Sequence, residues 1–172
     1  MELERIINER YSVRSFRPEH LTQETIDAIL EAGHKAPTGC NYQPQRILVL
    51  NTDESVAKLK ECTKCHFNAQ AAMLVCDNKE ESWVRKYDGA LSSPVDAAIV
   101  TTHMMLAAHN IGVGSCWVMH FDPFAMRKAF NIPENIEPVA LLVMGYPAED
   151  AKPLDLHFKS RPMDEVVFYD SF

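Results

Sequence analysis

The chain has 172 residues, 47% hydrophobic and 24% charged, the composition of one soluble domain large enough to bury a core. With 17 Lys plus Arg against 24 Asp plus Glu, its formal charge of −7 excludes a general nucleic-acid binder, so any anion site must be local. The longest apolar stretch, 95–114, carries Asp96, His103, His109 and Asn110 and does not read as a membrane span. The charged start "MELERIINERYS" does not read as a secretory signal, and an odd number of cysteines, five, fits a reducing cytoplasm better than a disulfide framework.

In chain order, residues 2–9 read as a short helix with Leu3, Ile6 and Ile7 on one face. Thr22, with Glu24 and Thr25, starts a firmer helix striped by Ile26, Ile29 and Leu30, which stops near Pro37. "PTGCNYQPQ" is a loop, "RILVL" (46–50) a buried strand, 53–61 a helix and "AAMLVC" (71–76) a second strand. Residues 77–93 are polar and irregular. A long helix follows from about Pro94 to Asn110, then a third strand in "GVGSCWV", a short helix in "DPFAMRKAF" and a fourth strand in "EPVALLVMGYP". The last segment is a basic, proline-punctuated loop, "KPLDLHFKSRP", ahead of "DEVVFYDSF". Strands alternating with helices, without repeat or linker, predict one α/β or α+β domain over 1–172.

Two features point to a dimer. The long helix is apolar almost all round, so it needs cover on more than one side. The tail residues Val166, Val167, Phe168, Tyr169 and Phe172 need a partner surface, which a neighbour's sheet edge would offer. Packing within one chain is the equal alternative.

"ERYSVRSFRPEH" places Arg10, Ser12 and Arg14 at alternate positions after a helix end, so an extended backbone projects them to one side. Guanidiniums and a hydroxyl in that arrangement fork onto phosphate oxygens. "HFKSRP" repeats the pattern with Lys159 and Arg161 around Ser160. Each basic run alone is ordinarily solvated surface; two, at opposite ends of an acidic chain, could converge on one phosphate.

"RYSVRSF", "APTGCNYQP", "NIGVGSCWV" and "FKSRP" stand in the order and spacing found in FMN-dependent nitroreductases, and the chain resembles that family over nearly its full length. The resemblance implies an α+β fold, with a central mixed sheet flanked by helices. It implies a homodimer with exchanged C-terminal strands and two FMN sites at the subunit interface. It places Arg10, Ser12, Lys159 and Arg161 at the ribityl phosphate and Arg14, with Asn68, at the pyrimidine edge of the flavin ring. A cation at that edge stabilises the anionic reduced flavin and raises its potential. Pro37, Thr38, Gly39 and Asn41 of the partner subunit would lie against the ring, and the backbone at Met119 and His120 would face the reactive nitrogen. Pro37 and Gly39 would serve equally to end a helix and turn the chain, and Trp117 and Met119 to pack.

The implied reaction is ping-pong: NAD(P)H gives hydride to FMN, then a nitroaromatic, quinone or similar electron-poor acceptor takes the pair. No side-chain nucleophile and no metal is required, in keeping with a chain that lacks GxSxG, HExxH, P-loop and GxGxxG patterns. His120, Tyr42 and Phe67 are candidate acceptor contacts. Because the chain is short beside longer members, an open pocket and loose acceptor selection are expected. Cys40 stands where small hydroxyl residues are common. Two other classes remain at this point: a flavin-binding sensor or storage module without robust turnover, and an electron carrier or metal site built on "CTKCH" (62–66), with Cys76 or His34 as a further zinc ligand.

Overall fold

A computed structural model describes residues 3–172. Glu2, the first residue of the expected opening helix, lies outside the described residues. Five α-helices and four strands are present among them: α1 (Leu3–Glu9), α2 (Gln23–His34), β1 (Gln45–Leu50), α3 (Asp53–Cys62), β2 (Ala71–Asn78), α4 (Ser93–Asn110), β3 (Gly114–Val118), α5 (Pro123–Phe130) and β4 (Ile136–Gly145).

Local chemistry sets most of these boundaries. The Thr22 side chain accepts from the Thr25 amide at 3.2 Å to start α2, and Thr52 with Ser55 closes a capping box on α3. Asp122 accepts from the Phe124 and Ala125 amides at the head of α5, where Pro123 opens the helix. α4 also has a proline in its first turn. Its far end differs from expectation: the strand expected from Gly112 begins at Gly114. Gly112, at φ 81°, turns the chain out of the helix first, a left-handed conformation that suits glycine.

The sheet order is β1-β2-β4-β3. The resemblance implies a mixed sheet, yet all three strand pairings are antiparallel, and the parallel element among the described residues is one isolated bridge, Ser12 to Ser115. The strands lie between two helical layers. Met73, Val75, Leu142 and Met144 face a core with Ile26 and Ile29 of α2 and Val100 and Met104 of α4. Leu74, Cys76, Leu141 and Val143 face the other way, against Leu59 of α3 and Met126 of α5. Burial on both faces explains why β2 and β4 read as unbroken apolar runs rather than alternating ones.

α4 buries Asp96, Ala97, Val100, Thr101, Met104 and Ala108, but Val95 is 61% exposed and Ile99, Met105 and Leu106 are half-covered. The tail contains a 3-10 turn at Met163–Glu165, beyond which Val166, Phe168, Tyr169 and Phe172 stand exposed. Both features expected of an associating surface are therefore present on one chain.

Asp77 of β2 is buried, and its Oδ1 has no hydrogen-bond partner; nor does Oε1 of Gln45, its cross-strand neighbour on β1. Burial pushes the Asp77 carboxyl up, and Glu137 and Asp96 push the same way against the Ser93 hydroxyl and Lys79. A carboxyl raised in the fold favours the folded state while protonated. That stability is lost as pH rises through the folded value. Asp77→Asn supplies a donor where the carboxylate only accepts. It is expected to raise the thermal midpoint at pH 7, and scans down to pH 4 should show the gain shrinking to nothing.

Candidate functional site

α1 ends with the Arg10 amide donating to the Ile6 carbonyl at 3.1 Å, and the chain then runs extended along the β3 edge. The Val13 amide donates to the Ser115 carbonyl at 2.9 Å, and Ser12 pairs in parallel with Ser115. Val13 is buried against Gly114, where an added Cβ would meet Val13 Cγ2 at 2.8 Å and Pro147 Cγ at 2.9 Å. Arg10, Ser12 and Arg14 consequently share the opposite side, as their alternation predicts. Arg14 donates from Nη1 to the Ser12 carbonyl at 3.0 Å and lies 5.7 Å from the Phe67 ring centroid, a cation–π contact that holds the guanidinium in place. Burial pushes the Cys116 thiol beside this segment up, against the pull of Arg14 and the Ser12 hydroxyl.

These residues line a cavity of about 300 Å³. Arg10, Tyr11, Ser12 and Arg14 form one wall; Leu154, Leu156 and His157 from the C-terminal segment form the other. Tyr11 fastens the two walls: its hydroxyl donates to the Ala151 carbonyl at 3.1 Å, and its ring meets His157 edge-on at 6.3 Å. Among the described residues no carboxylate lines this cavity, in a chain of charge −7.

The N-terminal and C-terminal segments therefore meet. The C-terminal side chain in the cavity is His157, whereas Lys159 is exposed past the 3-10 turn Asp155–Phe158, and Arg161 lies 3.6 Å from Glu165 with its side chain 78% exposed. The turn shortens the segment and rotates its later residues away. Sequence reasoning missed Leu154, Leu156 and His157. The alternation linking 159 and 161 would have reached 157 if extended by one step.

The loop after α2 is organised by a buried carboxylate. Asp96 accepts from the Gly39 amide and from the Ser92 hydroxyl, each at 2.8 Å. A Cβ at Gly39 would lie 2.8 Å from Ser92 Oγ and 3.3 Å from Trp83 Cβ, so the close approach this glycine permits within the chain is to Ser92 and Trp83. Thr38 Oγ1 accepts from the Gln43 amide at 3.0 Å, and Pro37 and Asn41 are exposed. Cys40, Asn41 and Gln43 take positive φ of 48°, 57° and 52°, a concentration of left-handed residues that marks a conformationally constrained loop.

Phe67 and Asn68 are also left-handed, at φ 49° and 54°, and the Asn68 amide donates to His66 Nδ1 at 3.0 Å. Phe67 carries the Arg14 contact, so the loop bearing Asn68 adjoins Arg14. Met119 and His120 follow β3 directly. Met119 Sδ accepts from Trp117 Nε1 at 3.3 Å, and the His120 carbonyl accepts from the Thr63 hydroxyl at 2.6 Å. His120 borders a second hollow of about 280 Å³ with Thr63, Lys64 and Asp122. Trp117 packs against the core, as expected, while Tyr42 is 55% exposed. In "CTKCH", the Cys62 thiol is buried and donates to the Lys58 carbonyl at 3.3 Å, and burial pushes it up, so it faces the fold rather than a bound group.

Arg10 and the loop 37–41 lie at opposite ends of α4. Gly39 is tied to Asp96 in its first turn, while Glu9 and Arg10 act on His109 in its last, whose ring burial pulls down. At about 1.5 Å per residue, the two ends are about 20 Å apart.

The Nitroreductase family matches residues 7–87 and 66–146. A Methanothermobacter thermautotrophicus protein named NADH dehydrogenase/NAD(P)H nitroreductase is 28% identical, covering 91% of this chain and 83% of its own. A crystal structure of a nitroreductase family protein from Clostridium difficile 630 superposes with a TM-score of 0.93 at 36% identity, over 100% of both chains. A nitroreductase-type structure in complex with FMN from Desulfovibrio desulfuricans superposes with a TM-score of 0.79 at 25% identity, over 100% of this chain and 98% of that one. With its cationic cavity beside β3 and these relatives, the chain belongs to the nitroreductase family.

Proposed function

We propose that the protein is an FMN-dependent NAD(P)H oxidoreductase that reduces nitroaromatics, quinones or similar electron-poor acceptors in two ping-pong steps. The observation that carries the reading is the cavity in which Arg10, Ser12 and Arg14 converge with no opposing carboxylate among the described residues. That donor set fits a phosphate and an electron-rich ring edge, and it lies along the strand that delivers Met119 and His120. Bound FMN supplies hydride acceptance and donation.

The chain's own residues bind and orient. Arg10 and Ser12 fork onto the phosphate, while Lys159 and Arg161, outside the cavity, add positive potential from the solvent side. Arg14, preorganised by Phe67 and the Ser12 carbonyl, sets positive potential at the pyrimidine edge, with Asn68 beside it. From Ser115 on β3 to Met119 just past its end, four residue steps span about 13 Å, which separates the phosphate end from the acceptor end. The Thr63 hydroxyl holds the turn at His120, which we assign as an acceptor contact. Pro37, Thr38, Gly39 and Asn41 of a second copy cover the ring and exclude water. The half-covered face of α4 and the exposed apolar tail support a homodimer, in which the tail 166–172 exchanges between copies to cover its exposed surface. No described helix is long and apolar enough to cross a membrane, and we place the protein in the cytoplasm.

The purified protein is expected to be yellow, with flavin bands near ~370 and ~450 nm that belong to the cofactor itself. With oxygen excluded, it should turn over NAD(P)H only when a nitroaromatic or quinone is supplied. Absence of flavin bands would overturn the reading. Flavin without acceptor-dependent turnover would leave a sensor or storage module in its place.

A further inference from the structure

We infer that His157 is a direct ligand of the flavin phosphate and selects the phosphorylated cofactor over its unphosphorylated form. The inference rests on the proposed FMN site and adds a residue to it. Of the polar side chains around the cavity, Tyr11 spends its hydroxyl on the Ala151 carbonyl and Arg14 spends Nη1 on the Ser12 carbonyl. Arg10 and Ser12 remain on one wall. On the other wall, Leu154 and Leu156 are apolar, so His157 is the group there that can meet an anion.

Its placement is built rather than incidental. The His157 amide donates to the Leu154 carbonyl at 2.8 Å within the 3-10 turn. Tyr11 holds the ring edge-on at 6.3 Å and 67°, and Phe158 holds it at 5.0 Å and 78°. Both aromatic contacts orient the imidazole without using a hydrogen bond. The exposed residues around it, Lys159 and Ser160, lie beyond the turn and outside the cavity. The oriented imidazole lets the C-terminal segment close on an anion, and the two flanking leucines leave no alternative ligand on that wall.

The test is fluorescence titration of the full-length, flavin-stripped dimer with FMN and, separately, with riboflavin. His157→Phe keeps the aromatic packing and removes the N–H; His157→Gln keeps a donor. The expected result is a loss of tenfold or more in FMN affinity for His157→Phe, riboflavin affinity unchanged, and partial recovery in His157→Gln. FMN affinity equal to wild type in His157→Phe overturns the assignment, as does equal loss for FMN and riboflavin, which marks a packing role. Those two results leave the proposed function standing. A wild-type protein that binds neither flavin overturns both.

Discussion

Arg10→Ala is expected to come off a purification column nearly colourless. Arg10 is half-buried at the cavity wall, beside Ser12 and across from His157, and among the described residues no carboxylate lines that cavity to compete for it. Loss of one charge-assisted contact to a desolvated phosphate costs about 2–3 kcal/mol, or about two decades in affinity. Micromolar protein that holds FMN tightly as wild type would then shed most of it on dilution. The fold should survive, because the backbone contacts of this segment are made by Val13 and the main chain rather than by the Arg10 side chain. Flavin-to-protein absorbance ratio and the thermal midpoint of flavin-free protein check the two halves of the expectation. Full retention of colour by Arg10→Ala would remove the phosphate assignment.

Asp96→Ala should be nearly as damaging from the other end of α4. Its carboxylate is buried and holds both the Gly39 amide and the Ser92 hydroxyl. Without it, a loop with three left-handed residues loses the anchor that offsets their backbone strain, at a cost of about 2–4 kcal/mol. Asp96 lies about 20 Å from His109 along the helix, and hence far from the Arg10 cavity of its own chain. Flavin loss in Asp96→Ala is expected if the loop covers a flavin ring, whichever copy supplies it. Hybrid dimers make the point sharper. An Arg10→Ala chain paired with an Asp96→Ala chain contains one site with both defects and one with neither, so it should bind one FMN per dimer where each homodimer binds almost none. A hybrid as colourless as its parents would mean that each chain builds its site alone.

Much of this protein was legible in its sequence because the determinants are local. Thr22, Thr52 and Asp122 cap their helices with side chains only a few residues from the groups they satisfy. "AAMLVC" and the run in β4 are apolar throughout because strands buried on both faces leave no position for a polar residue. The alternation of Arg10, Ser12 and Arg14 needed only an extended backbone to place them on one side, and the bridge to Ser115 supplies it.

Other features depended on which distant segments touch. Asp96 looked like one polar residue marring an apolar helix, and only its contact with Gly39, 57 positions away, shows that it anchors a loop. Gly39 itself is small because Ser92 and Trp83 crowd it. His157, rather than Lys159, reached the cavity because a single 3-10 turn and the Tyr11 ring set the phase of the C-terminal segment. Capping and alternation act over a few residues, where bond geometry limits the outcome. The meeting of chain ends depends on packing free energies summed over the whole core, which no short window of sequence contains.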